Sequence, residues 1–341
     1  MSIIQTDVVI VGAGPVGLFA IFQCGMVGLQ THVFEGLSHV GGQCSALYPE
    51  KPIFDIPAHP RILGQELADK LFEQAMPFNP TFHFENKLVE VLPIRDEDGY
   101  IWHVKSNQGI EIKTKAIIIA AGVGAFGPNR PPMPNLDAFE KTSVHYFIPN
   151  KSIYENKNIV IAGGGDSAVD WALTLSSIAK KVTVVHRRDQ FRAAPHSEEQ
   201  LKNLVKQGVV DLCVPYQLFD LKGESSTLTH VVIQNFNDQS FHEIKADYLL
   251  PFFGLSTNLG PIAEWGLGIS KNSIEVENGT AKTNREGIYA IGDVATYPHK
   301  LKLILTGFSE AAFAAHAIYK QIYPNNPLHF EHSTTKGVHL K

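Results

Sequence analysis

A glycine-rich turn between a β-branched strand and a helix occurs twice in this chain, and that repetition limits the fold more than any other feature. In the first copy, residues 8–11 read as a strand, Gly12-Ala13-Gly14-Pro15-Val16-Gly17 as the turn, 18–27 as a helix and 31–35 as a second strand. In the second, residues 159–162 lead into Gly163-Gly164-Gly165-Asp166-Ser167-Ala168, a helix over 169–179 and a strand over 182–186. Each copy continues through segments of antiparallel-strand character, 81–93 and 100–112 in the first, 228–235 and 242–244 in the second. Each closes on an apolar strand ending in glycine, at Gly122 and at Gly254. An internal repeat of this kind predicts an α/β chain with two Rossmann-like dinucleotide-binding domains. A further apolar strand (287–293) and an Ala-rich helix (307–321) follow the second copy, which places the second domain inside the first. The expected division is 1–122 and 254–341 for one domain, the latter carrying a C-terminal tail, and 123–253 for the other.

The two turns predict different ligands. In the first, Gly12 permits a tight turn, Gly14 lets the backbone approach a pyrophosphate and Gly17 lets helix and strand pack closely. The helix start then offers free N–H groups and a positive dipole end to the phosphates. Glu35 ends the next strand, where a carboxylate accepts hydrogen bonds from both ribose hydroxyls. In the second turn Gly163, Gly165 and Ala168 occupy the same three places, with Asp166 and Ser167 opening the helix. Here the strand end reads His186-Arg187-Arg188, with Arg192 shortly after. A carboxylate would repel a 2′-phosphate and paired arginines bind it, so this site predicts NADP(H). Two dinucleotide sites in one chain suggest electron passage between two cofactors, with FAD as the first.

Composition narrows the class. Against 29 Lys and Arg stand 34 Asp and Glu, a net charge of −5, which argues against a chain built to bind nucleic acid. Three scattered cysteines give neither a disulfide scaffold nor a thiolate cage, and no metal site is assigned. The first residues lack a basic, apolar secretory pattern, and no apolar run is long enough to span a membrane, so a cytoplasmic location is expected.

These strings, together with Gly41-Gly42-Gln43 and the run 287–293 ending in Gly292-Asp293, resemble the thioredoxin-reductase-like flavoproteins. Within that group the chain is most similar to the ferredoxin/flavodoxin–NADP reductases, through residues 45–51, residues 163–172 and His332-Ser333-Thr334. The resemblance covers essentially the whole chain. It implies FAD contacts at Glu35, Gln43, Tyr48, Leu88, Phe126, Asp293 and Thr334, with Tyr48 and His332 framing the flavin. It also implies a homodimer and a ferredoxin or flavodoxin as partner. Asp293 has a rationale of its own, because it ends an apolar strand at a sheet's carboxyl edge.

Cysteine placement separates the relatives. Disulfide reductases keep a second cysteine five residues beyond the one in G-G-x-C, and here Cys44 is followed by Pro49 at that distance. The alternative C-x-x-C before the second glycine turn is missing, since residues 142–158 hold no cysteine. Electrons are therefore expected to leave the flavin directly. Cys44 itself reads as a small packed residue, and Cys24 and Cys213 as core. Lys300 and Lys302 are the candidate docking cations for an acidic carrier. Alternatives left open are a disulfide reductase, an NADPH oxidase or diaphorase acting on free flavin, quinone or iron, and a non-catalytic NADPH-sensing module.

Overall fold

A computed structural model describes residues 3–326 except 141 and 149; the side chains of 125, 126 and 255–257 fall outside the description. The chain divides into two compact units, Met1–Phe126 with Thr257–Lys341, and Gly127–Ser256.

In the first unit a parallel sheet runs in the order Thr81–His83, Thr31–Phe34, Ile4–Val11, Glu111–Ile119, Ile288–Ala290. Adjacent residues of its strands face opposite ways, as a two-residue period demands. Val8, Ile10, Ala116 and Ile118 pack against the helices Pro15–Met26, Gly64–Ala75 and Ile304–Ile322. Val9, Ile117 and Ile119 face the other way, into a cluster with Leu88, Val104, Ile262 and Trp265. Burial on both faces explains why these strands read as continuous apolar runs. Glu111–Ile119 forks: Thr114 pairs antiparallel with Trp102, while Ile117 pairs in parallel with Ile288.

The second unit repeats the plan. Its parallel sheet runs Val210–Cys213, Lys181–Val185, Asn158–Ala162, Tyr248–Pro251. Ile159, Ile161, Val182 and Val184 face the helices Asp166–Leu175 and Pro195–Lys206. Val160, Ala162 and Leu249 face the antiparallel strands Tyr216–Glu224, Thr227–Asn235 and Phe241–Lys245.

The repeat extends to single hydrogen bonds. The Gly12 N–H donates to the Phe34 carbonyl at 2.8 Å, and the Gly163 N–H to Val185 at 3.1 Å. The Ala120 N–H donates to Val11 and the Phe252 N–H to Ala162, both at 2.8 Å. Each sheet therefore has the strand order third, second, first, fourth, and its ligand crevice belongs at the carboxyl ends where that order reverses.

Some expectations on elements need correction. Residues 81–93 are two strands, not one. Glu85 takes a left-handed φ of 54° and the Asn86 side-chain amide donates to the Phe84 carbonyl at 2.8 Å. That turn sends Thr81–His83 into the parallel sheet and Leu88–Pro93 into the meander. The helix Pro195–Lys206 and the strand Tyr216–Glu224 are additions to the elements expected from the sequence. No helix among the described residues is long and apolar enough to cross a membrane.

Candidate functional site

The first unit holds a cavity of about 500 Å³ at the carboxyl ends of Ile4–Val11, Glu111–Ile119 and Ile288–Ala290. Seven of the expected residues line it: Gly12, Gly14, Glu35, Gln43, Tyr48, Leu88 and Asp293.

The three glycines of the first turn differ in role. Gly12 has φ +103°, and a Cβ there would lie 2.5 Å from the Ala120 carbonyl oxygen. A Cβ on Gly17 would lie 2.0 Å from the Gly12 oxygen, so Gly17 serves the packing of the helix and lies behind the cavity wall. Gly14 lines the cavity, and a Cβ there would meet no atom nearer than Gly42 Cα at 4.0 Å. The helix starts at Pro15 with no acidic residue in its first turn. Its N-terminal dipole is left for an anion.

Glu35 is 7 % exposed and held rigidly. Its Oε2 accepts the Ala13 N–H at 2.7 Å and its Oε1 accepts the Leu37 N–H at 2.8 Å. Each carboxylate oxygen has a second lone pair for a hydroxyl donor. Gln43 starts a short helix, Gln43–Ala46, behind Gly41, whose N–H donates to the Ala13 carbonyl at 2.8 Å. The same helix carries Cys44, whose thiol lies 3.6 Å from the Tyr48 hydroxyl. Burial pushes the Cys44 thiol up to about 11, and burial likewise raises the Tyr48 phenol, with Cys44 and Asp293 adding to it. Both groups are neutral at physiological pH, and Cys44 is 2 % exposed. Asp293 follows Gly292 in a single 3-10 turn, Gly292–Val294.

These residues fit a flavin dinucleotide on the structure's own terms. The cavity has an anion cradle at one glycine turn and two carboxylates, Glu35 and Asp293, which line the same space from just beyond the ends of two different strands. Phe126 belongs to the strand Ala125–Pro128, but its side chain lies outside the described residues, as do His332, Ser333 and Thr334. The sequence reading missed part of the wall: Val16, Lys87, Pro261, Ile262 and Ile304. Only Val16 has a local signal, inside the first glycine turn; the last helix begins at Ile304, ahead of the start at 307 expected from the sequence.

The second turn shows the same division of labour in its own unit. Gly163 has φ +149°, and a Cβ there would approach the Phe252 oxygen to 2.6 Å and Ala168 Cβ to 3.2 Å. Gly165 would meet nothing within 4 Å. The loop after Lys181–Val185 returns to this turn. The Arg192 N–H donates to the Gly164 oxygen at 2.6 Å, and Asp166 Oδ1 accepts the Ala194 N–H at 2.9 Å. Asp166 is thus committed to the loop, beside Ser167 at the helix start. Arg187, Arg188 and Arg192 are exposed, and among the described residues no carboxylate pairs with them. The His186 ring stacks on Phe191 at 5.1 Å, and burial lowers its pKa, with the two neighbouring arginines adding to the effect.

Lys300 is not the docking cation that the sequence suggested. Its side chain is 4 % exposed and forms a buried ion pair with Glu310. Lys302 is exposed, with its ammonium 3.3 Å from the Ser273 hydroxyl. Cys24, Cys44 and Cys213 are all free thiols.

The model for the pyridine nucleotide-disulphide oxidoreductase family matches residues 6–316. A ferredoxin–NADP reductase of Paramagnetospirillum magneticum is 55 % identical over 334 residues, covering 98 % of this chain and 98 % of the relative. One from Rhodospirillum rubrum is 52 % identical over 335 residues, covering 98 % and 97 %. Among solved structures, a thioredoxin reductase of Lactococcus lactis matches with a TM-score of 0.78 at 25 % identity, over 94 % of this chain and 99 % of that one.

Proposed function

Since this chain belongs to the pyridine nucleotide-disulphide oxidoreductase family, and within it to the ferredoxin–NADP reductases, we propose that it passes electrons between NADP(H) and a ferredoxin through FAD, with no cysteine pair in the path. It is an oxidoreductase that uses FAD and NADP(H). The observation that carries the absence of a dithiol is Cys44. Among the described residues it is the single cysteine on the cavity wall, it is buried, and its thiol is held protonated.

In this reading the unit Met1–Phe126 with Thr257–Lys341 binds FAD and the unit Gly127–Ser256 binds NADP(H). Bound FAD supplies the conversion between two-electron and one-electron transfer. The chain's own residues do the rest. The Gly12–Gly17 turn and the helix behind it hold the pyrophosphate. Glu35 accepts the ribose hydroxyls, Asp293 and Gln43 hold the cofactor's polar groups, and Leu88 closes the apolar wall. Tyr48 frames the ring and excludes water, a role shared with His332, and Phe126 and Thr334 complete the FAD contacts. Gly163, Gly165, Asp166, Ser167 and Ala168 shape the second turn. Arg187, Arg188 and Arg192 bind the 2′-phosphate and so select NADP(H) over NAD(H). No side-chain acid or base is needed for the hydride step.

A flavodoxin serves in place of ferredoxin by the same acidic chemistry, and the working protein is a cytoplasmic homodimer. The test is a comparison of acceptors. NADPH-dependent reduction of cytochrome c should require added ferredoxin or flavodoxin, while reduction of an aromatic disulfide should stay at background. Fast disulfide reduction would remove this reading. So would fast quinone or ferric reduction with neither carrier protein supporting any turnover.

A further inference from the structure

We propose that Glu310 is a positioning residue for FAD, acting through the backbone of Gly292 on Asp293. The inference rests on the cofactor assignment above and adds a residue that no motif marks.

Glu310 lies in the helix Ile304–Ile322 and is 4 % exposed. Its Oε2 accepts the Gly292 N–H at 2.7 Å. Its Oε1 accepts the Tyr297 hydroxyl at 2.7 Å and pairs with the Lys300 ammonium. Gly292 has a left-handed φ of 74° and directly precedes Asp293, which lines the cavity. One turn before Glu310, Gly307 presses on the first helix: a Cβ there would lie 2.4 Å from Val16 Cγ2 and 3.3 Å from Gly292 Cα. The last helix therefore meets the cavity wall at Val16 and Gly292 together, and Glu310 ties the second of these down.

A buried ion pair is an expensive way to fill this space, because an apolar pair of similar volume is often as stable or more so. What an apolar pair cannot supply is an acceptor for the Gly292 N–H. Lys300 balances the Glu310 charge, so the anchor adds no second net negative charge near Asp293. In this account the ion pair carries the hydrogen bond, and the hydrogen bond sets the direction in which Asp293 enters the cavity.

The test separates the acceptor from the charge. Two chains carry the common changes Lys300→Met and Tyr297→Phe, and differ only in Glu310→Gln or Glu310→Met. Neither holds a buried charge at this place, and only glutamine offers Gly292 an acceptor. The readouts are FAD affinity by reconstitution of apoprotein, the visible circular dichroism of the bound flavin, and the melting temperature of the apoprotein. The Glu310→Met chain should bind FAD about tenfold more weakly than the Glu310→Gln chain. Its flavin dichroism should change, and its apoprotein should melt somewhat lower, because the buried Gly292 N–H is left without an acceptor. Equal FAD affinity in the two chains would overturn the proposal. So would a loss of affinity with the dichroism of the bound flavin unchanged, which is the mark of a merely structural contact. A wild-type chain that takes up no FAD would overturn the cofactor assignment itself, and this inference with it.

Discussion

Glu35 closes the first glycine turn from the far side: its Oε2 takes the Ala13 N–H at 2.7 Å, so the carboxylate and the anion cradle are one rigid piece. Its other oxygen is held by Leu37 at 2.8 Å. Glutamine at this place keeps the shape but turns an N–H₂ toward one of those two amide donors. Glu35→Gln is expected to destabilise the apoprotein by about 1–3 kcal/mol and to lower FAD affinity at least tenfold. Thermal melting with and without FAD measures both. Full FAD occupancy in the variant would contradict the assignment.

Gly14 and Gly17 should fail in opposite ways. A Cβ at Gly17 would sit 2.0 Å from the Gly12 oxygen, so Gly17→Ala forces helix and strand apart and should cost roughly 1–3 kcal/mol of stability. Gly14→Ala meets nothing closer than 4.0 Å and should leave the apoprotein melting temperature nearly unchanged. Its methyl group occupies the space where the pyrophosphate approaches, so FAD binding should fall. Equal effects on melting in both variants would mean that Gly14 serves packing.

Much of this was legible in the sequence because it is local. The glycine spacing, the β-branched strands beside it and the residue at each second strand's end all lie within one strand–helix–strand unit. Glu35 and the Arg187-Arg188 pair can be proposed as ribose and phosphate contacts for that reason. What the sequence does not show depends on contacts between distant residues. The fork in Glu111–Ile119 arises from pairing with Ile288, far along the chain. Ile262 reaches the cavity from a 3-10 turn that no motif marks. Lys300 looked like a surface charge because the sequence does not show Glu310 waiting for it on the next helix.

Coenzyme preference should rest on the arginines. Losing a charge-assisted contact to a 2′-phosphate costs about 1.5–3 kcal/mol. The double variant Arg187→Ala, Arg188→Ala is therefore expected to lower kcat/KM for NADPH roughly tenfold to a hundredfold. The value for NADH should hardly move. An equal loss with both coenzymes would assign these residues to the fold.

Cys44 should be chemically silent. Its thiol is raised from 9.0 to about 11 by burial, so at pH 8 about one molecule in a thousand carries the thiolate. Alkylation of the native protein, followed by mass spectrometry, should leave Cys44 unlabelled until denaturant is added. The raised value also fixes a sign. The folded state holds this proton more tightly than the unfolded chain, so the contribution to stability is complete below pH 9 and is lost as pH climbs through 11. Cys44→Ala should make the alkaline decline shallower over that interval. Rapid labelling of native Cys44 at pH 8 would contradict both statements.

If electrons cross from NADPH to a one-electron carrier through FAD alone, turnover needs none of the three thiols. The most direct measurement uses the chain with Cys24→Ser, Cys44→Ser and Cys213→Ser under strict exclusion of oxygen. Addition of NADPH should bleach the flavin absorbance, and oxidised ferredoxin should then restore it, at rates close to those of the unaltered chain. Normal bleaching without recovery in this variant, where the unaltered chain recovers, would contradict the claim and put a thiol in the path.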